Sequence, residues 1–315
     1  MSLLEYNKTY VPTHPHYVEL TKKHEKIHWG EWEVKLDSDI DDWRLGRVSP
    51  QEKQFISSIL RLFTQSDVTV GEDYYENLIP WIKNNEARNM LGSFAAREGV
   101  HQRAYALLND TLGKGEEFYL EFLEYKQMSD KIEWMITSSK DIPALIKSVA
   151  HQTLAEGVML FASFAMLLNL QRFGVMMGMG DVNQWSIRDE SVHIEGLTRL
   201  FRDLAAEFPQ FIDDKFKLSI YELAREVVKL EDAFIDLVFD SGDSRGITRE
   251  EVKQYIRSVT DYRMKQLGLK EQFNVDNPFD WLQWLTSPNS VENFFENNTA
   301  NYSKDSMTGS YKGGY

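Results

Sequence analysis

Apolar side chains recur along most of this chain at intervals of three and four, the spacing that lines one face of an α-helix, while strand-like alternation and hairpin signals are nearly absent. Ser49-Pro50-Gln51-Glu52 marks a helix start, with Ser49 as cap and Pro50 in the first turn. Phe55, Ile59, Leu62 and Phe63 then repeat at helical spacing, and the helix is predicted to run to about Leu78. Further helices are predicted over about Glu86 to Leu112, Ile142 to Leu170, Val182 to Glu207, Asp214 to Phe239 and Thr248 to Leu267. Their lengths suit an all-α bundle.

No low-complexity linker divides the first 290 residues, so residues 1–296 are read as one domain with an extended amino-terminal segment. Residues 297–315 are polar, glycine-bearing and poor in aliphatics, a composition expected to form a flexible arm. The longest apolar run, Val158 to Leu168, is short of the roughly 20 residues a bilayer span needs and is read as a buried helix. The opening MSLLEYNKTYVPTHPH lacks a basic start followed by an apolar stretch, so no secretory leader is expected, and a cytoplasmic protein is.

The formal net charge of -14, from 35 basic and 49 acidic residues, opposes binding to nucleic acid or to anionic membranes through a basic surface. The absence of cysteine excludes disulfides, thiolate nucleophiles and sulfur-ligated metals, so any metal must sit on nitrogen and oxygen.

Two helical motifs satisfy that condition. Glu98-Gly99-Val100-His101 and Glu190-Ser191-Val192-His193 each place a carboxylate and an imidazole three residues apart, on one helix face. Such a donor set suits iron or manganese better than calcium, and ligand type alone leaves zinc open. A single Glu-x-x-His is weak evidence, because the pair is common on solvated helices. Two copies, with one carboxylate from each of two further helices, meet the requirement of a di-metal carboxylate bundle. Asp67 and Glu156 are the carboxylates available. Taken alone, Asp67 would be read as part of a solvated face and Glu156, beside an apolar run, as half of a salt bridge; the set of four helices overrides both readings.

These residues resemble the small subunit of class I ribonucleotide reductase, whose ligand order Asp, Glu-x-x-His, Glu, Glu-x-x-His is met by Asp67, Glu98, His101, Glu156, Glu190 and His193. The intervals match, as do the stretches ArgGluGlyValHis before Tyr105, AlaGluGlyVal around Glu156 and IleArgAspGluSerValHis ending at His193. The similarity reaches both ends, through Trp29 with Glu33 and Val34, Tyr262-Arg263, Leu267-Gly268, Asn277-Pro278-Phe279 with Trp281, and Phe294-Phe295-Glu296. It implies a ferritin-like fold holding two metal ions per subunit, di-iron or di-manganese, and a homodimer active only with a separate large subunit that reduces ribonucleotides to deoxyribonucleotides. It also implies that the tail docks on the large subunit, with an activating flavoprotein as a further partner.

The resemblance assigns further roles. Tyr105, one turn beyond His101, matches the radical tyrosine; Asp189 would bond His101 and connect it to Trp29, an electron relay. Tyr302 matches the tyrosine that passes the oxidising equivalent across the subunit interface, ahead of Tyr311 and Tyr315. Phe164 fits an apolar pocket around Tyr105, but Leu160 stands where an aromatic is common and Ser186 where an aliphatic is common, which predicts a more polar pocket. Retention of tyrosine at 105, not phenylalanine, argues against a mixed manganese–iron centre. His151 lies off the face of Glu156 and is read as structural. His14, His16, His24 and His28 are read as part of a solvated, extended amino-terminal segment. The competing functions are a ferritin-like oxidase acting on a small molecule, which needs no radical exit, and a metal store, which needs no tyrosine tail.

Overall fold

The computed structural model describes residues 2–286, and among them the secondary structure is wholly helical. The helices are α1 (Pro15–Lys26), α2 (Asp37–Arg44), α3 (Pro50–Asp73), α4 (Asn85–Thr111), α5 (Lys126–Met135), α6 (Ile142–Leu154), α7 (Phe161–Gln171), α8 (Met177–Glu207), α9 (Asp214–Ser241) and α10 (Arg249–Gln266). Residues up to Pro278 form one compact unit, and a second unit begins at Phe279. In the latter the described residues form a 3-10 turn, Asp280–Thr286. The predicted boundary between residues 296 and 297, and Tyr302 with the rest of the predicted arm, lie outside the described residues.

In the first unit α3 packs on α4, α6 and α7 on α8, and α4 on α8, so α3, α4, α8 and the successive α6 and α7 surround one interior. α9 and α10 cover the side formed by α3, α6 and α7, and α1 lies across α4 and α8. The Ser49 start closes as a capping box: the Ser49 side chain accepts from the Glu52 amide, and Glu52 reaches back to the amide of Ser49. The apolar stretch within Ile142–Gln171 is fully buried, a core segment of the bundle.

Two predicted helices do not run unbroken. α3 passes into a π turn over Tyr74–Leu78, and the predicted helix Ile142 to Leu170 is divided by another over Ala155–Met159. A π turn leaves carbonyls without their usual partners, and here two buried cations from other helices take them. Arg263 Nε donates to the Gly157 carbonyl at 3.1 Å and Lys131 Nζ to that of Met159 at 3.0 Å. Gly157 is required by this approach, since a Cβ there would lie 2.9 Å from Arg263 Nε.

The amino-terminal segment also departs from expectation. Pro15, placed at the first helical position where its missing N–H costs nothing, opens α1 in place of extended chain. α2 then supplies two buried aspartates that cap α8: Asp39 accepts from the amides of Gly178 and Met179, and Asp42 from that of Met176. They offset the left-handed φ of 54° at Met176 and sit where the helix dipole favours negative charge. α8 thus starts from a fixed point, and its site residues follow three to four turns later.

Candidate metal centre

α3 delivers Asp67, α4 Glu98 and His101, the π turn after α6 Glu156, and α8 Glu190 and His193. All six are at most 2% exposed. They fall into two overlapping groups, Asp67 with Glu98 and His101, and Glu98 with Glu156, Glu190 and His193, each with ligand atoms within 4.8 Å of one another. Glu98 belongs to both. Glu190 also spans them: its Oε1 lies 3.3 Å from His101 Nδ1 and its Oε2 3.3 Å from His193 Nδ1. The arrangement is that of two metal positions sharing carboxylates.

The chemistry of the interior supports this. One Asp67 oxygen and both oxygens of Glu98 and Glu190 are enclosed without a hydrogen-bond donor, an expensive state for buried carboxylates. Burial pushes the Asp67 carboxyl well above its usual range, helped by the charges of Glu98, Glu190 and Glu156. Burial likewise raises Glu156 to about 8. For Glu190 burial acts upward too, but the charges of His193 and His101, each with Nδ1 3.3 Å from one of its oxygens, outweigh it and hold the carboxyl at about 2. Four carboxylates carry the charge that two divalent cations would balance, and both imidazoles turn Nδ1 towards them.

The outer nitrogens of the two histidines meet different partners. His101 Nε2 lies 3.1 Å from Asp189 Oδ2, and the same oxygen accepts from Trp29 Nε1 at 2.7 Å. Trp29 stacks on His101 with ring centres 5.9 Å apart, and Arg97 donates to the Trp29 carbonyl at 3.1 Å. Burial would raise the Asp189 carboxyl, yet the His101 hydrogen bond and the charges of His101 and Arg97 hold it below its usual value. The three residues that the resemblance linked are therefore in direct contact.

His193 Nε2 instead faces His24 Nε2 at 3.2 Å, and His24 Nδ1 lies 2.7 Å from Ser93 Oγ. This corrects the reading of the amino-terminal histidines: His24 is 1% exposed, on the inner face of α1, and burial with the charge of His193 drives its pKa down to about 3. His16, by contrast, stays partly exposed beside Asp203. His151 packs on Trp134 with ring centres 4.0 Å apart, away from the cluster.

Tyr105 is enclosed one turn from His101, stacked on Phe63 at 4.6 Å; Phe164 packs on the same phenylalanine. Its hydroxyl donates to Asn183 Oδ1 at 3.2 Å, and Asn183 in turn donates to the Met179 carbonyl. Ser186 stands beside that hydroxyl, so the polar side of the pocket is real, and Asn183, one turn before Ser186, had escaped notice. Burial, then the charge of Asp67, pushes the phenol well above its ordinary value. A second buried tyrosine, Tyr74, points its hydroxyl towards Glu156 from the π turn after α3. Sequence offered no sign of it beyond its place seven residues after Asp67.

Comparison with known proteins agrees with this architecture. The family model described as ribonucleotide reductase, small chain, matches residues 7–278. A probable ribonucleoside-diphosphate reductase small subunit of Invertebrate iridescent virus 6 is 35% identical over 99% of this chain and 98% of its own length. Its counterpart in Invertebrate iridescent virus 3 is 38% identical over 91% of this chain and 82% of its own. Among solved structures, the dimanganese(II)-NrdF of Streptococcus sanguinis superposes with a TM-score of 0.77 at 18% identity, covering 92% of this chain and 98% of that one. The Rnr4 homodimer of Saccharomyces cerevisiae gives 0.74 at 21%, covering 96% and 92%. At such identities these two carry the ferritin-like fold, whereas the family match and the viral relatives carry the assignment: the chain belongs to the ribonucleotide reductase small-chain family, the small subunit of ribonucleoside-diphosphate reductase.

Proposed function

We propose that Asp67, Glu98, His101, Glu156, Glu190 and His193 hold two ions of iron or manganese, and that the subunit uses them to generate an oxidising equivalent for the large subunit. The observation that carries this reading is the single oxygen of Asp189 shared by His101 and Trp29, which joins the ligand cluster to an aromatic side chain. A small-molecule oxidase has no use for such a link. When bound, the metal pair supplies the one-electron oxidising power that carboxylates and imidazoles lack.

The chain's own residues do the rest. Nδ1 of each histidine faces the ligand oxygens, so each Nε2 carries the proton; Asp189 accepts it from His101 and fixes that ring. Tyr105, one turn beyond His101 and close to Asp67, stores the equivalent as a phenoxyl. Phe63 and Phe164 exclude water from the ring, and Asn183 holds the hydroxyl. Trp29 relays the electron, and its indole proton has an acceptor 2.7 Å away on Asp189. Beyond Trp29 the path continues through Tyr302 on the carboxy-terminal arm, which docks the large subunit, and the working unit is a homodimer activated with the help of a flavoprotein if the metal is manganese.

Electron paramagnetic resonance on protein loaded separately with iron and manganese, before and after oxygen or superoxide, tests this. A tyrosine doublet that disappears in Tyr105→Phe is expected. A metal-centred multiline signal surviving that substitution would place the oxidant on the metals, and no two-metal signal under any loading would defeat the reading.

A further inference from the structure

The two candidate histidine ligands are supported unequally. His101 offers its outer N–H to a carboxylate, while His193 offers its own to a neutral ring, and no motif in the ligand helices announces that ring. His24 comes from α1, 169 residues away in sequence, and is as enclosed as the ligands. Its orientation is held from three sides: Ser93 at Nδ1, His193 at Nε2, and Phe94, which meets the ring edge-on at 5.1 Å.

The proton positions in this chain follow from one another. With His193 Nδ1 facing Glu98, Glu156 and Glu190, the lone pair used for a metal is on Nδ1 and the proton is on Nε2. The His193 N–H then needs an acceptor within 3.2 Å, which His24 Nε2 provides only as an unprotonated nitrogen. His24 must carry its own proton on Nδ1 and donate it to Ser93 Oγ. Ser93 lines a surface groove of about 630 Å³ bordered by α1 and α4, so its hydroxyl can donate its own hydrogen bond outwards to solvent. One set of tautomers satisfies every atom.

We infer that His24 is a positioning residue for His193: by accepting the Nε2 proton it fixes the tautomer and ring orientation that present Nδ1 to one of the two metal positions, and it serves that position alone. The inference rests on the metal-site reading above. Outer partners of this kind commonly change metal affinity by about 10- to 100-fold when removed.

The test is stepwise binding of Mn(II) alone, followed by chelator competition and by electron paramagnetic resonance, which separates an isolated ion from a coupled pair. The unaltered protein should take up two ions per chain; failure to do so would defeat the site reading itself, before any question about His24. In His24→Phe one binding step should weaken by about tenfold or more while the other holds, and the isolated-ion signal should persist at metal levels that give a coupled pair in the parent. His24→Gln should restore the pair, because its amide oxygen can accept from His193 while its NH2 faces Ser93. His24→Leu replaces the phenylalanine variant if circular dichroism shows that the larger ring prevents folding. Unchanged binding in the apolar variant, equal weakening of both steps, or a glutamine variant as poor as the apolar one would each overturn the inference, since a merely structural role predicts no such selectivity or rescue.

Discussion

Lys131 and Glu231 form an ion pair that is wholly enclosed, both side chains being 0% exposed, and Lys131 also holds the Met159 carbonyl of the π turn that carries Glu156. Replacing Lys131 by Met keeps the stem volume and removes the charge. The stranded Glu231 would then take up a proton rather than stay charged in an apolar interior. With an unfolded value of 4.5, that uptake at pH 8.5 costs about 1.36 × (8.5 − 4.5), or about 5.4 kcal/mol; in the parent, where Lys131 keeps Glu231 at about 7, the cost levels off near 1.36 × (7 − 4.5), or about 3.4 kcal/mol, and at pH 5.5 both chains carry about 1.4 kcal/mol. The orphaned Met159 carbonyl adds about 1–3 kcal/mol at either pH. The sign is that of a carboxyl whose folded pKa is raised: stability is fully present below 4.5 and is lost as pH rises towards the folded value. Urea unfolding of the metal-free variant, read by tryptophan fluorescence, should therefore show a penalty relative to the parent that is about 2 kcal/mol larger at pH 8.5 than at pH 5.5. Lys131→Met with Glu231→Met should remove this rise of the penalty with pH and leave the carbonyl cost, in line with the small net worth of buried pairs replaced as a unit. A penalty independent of pH in the single variant, or one retained in full by the double, would refute the reasoning.

Three more predictions concern the metal centre. Saturation with metal at about 100 times Kd contributes roughly 2.7 kcal/mol per position, so Tm should rise on the order of 10 °C and fall back on chelation; a scan unmoved by metal would contradict the assignment of the enclosed carboxylates. Because Glu156 is raised to about 8 and must lose its proton to bind metal, affinity should fall as pH drops below 8, by up to about tenfold per unit. Proton release on loading, measured in two buffers of different ionisation enthalpy, checks this, and an affinity flat from pH 8 to 6.5 would count against it. Trp29→Phe keeps the stack on His101 but removes the N–H that Asp189 accepts, so the Tyr105 doublet should form normally while turnover with the large subunit falls by about 100-fold or more; loss of the doublet itself would show that Trp29 supports the metal site instead.

The long helices were legible in sequence because their start signals are local. Ser49 with Glu52 and Thr248 with Glu251 each close a capping box within four residues. The candidate ligand cluster was legible for a similar reason, since Glu-x-x-His is a relation along one helix that tertiary packing does not alter. What escaped was whatever depends on residues far apart in the chain. His24 earns its place through an α1 that crosses α4 and α8, and nothing near residue 24 distinguishes it from His16, which remains at the surface. Asn183 and Tyr74 face the site only because of where α8 and the first π turn place them. The second π turn was hidden for another reason: its composition reads as continuous helix, and the cations that stabilise it, Lys131 and Arg263, lie on α5 and α10.

That second π turn makes chain length, not only side-chain identity, part of the site. A π turn amounts to one extra residue in an α-helical path, and each residue turns the helix by about 100°. Glu156 lies within the extra turn, and Phe164 lies beyond it, packed on the phenylalanine that stacks on Tyr105. Deleting Gly157 would let α6 and α7 join as a single regular helix that keeps every apolar side chain, and the change of orientation would fall on Glu156, inside the turn, and not on Phe164 beyond it. The candidate ligand and the wall of the tyrosine pocket are thus set in separate registers on one buried rod, so a change of a single residue in length can alter one while sparing the other.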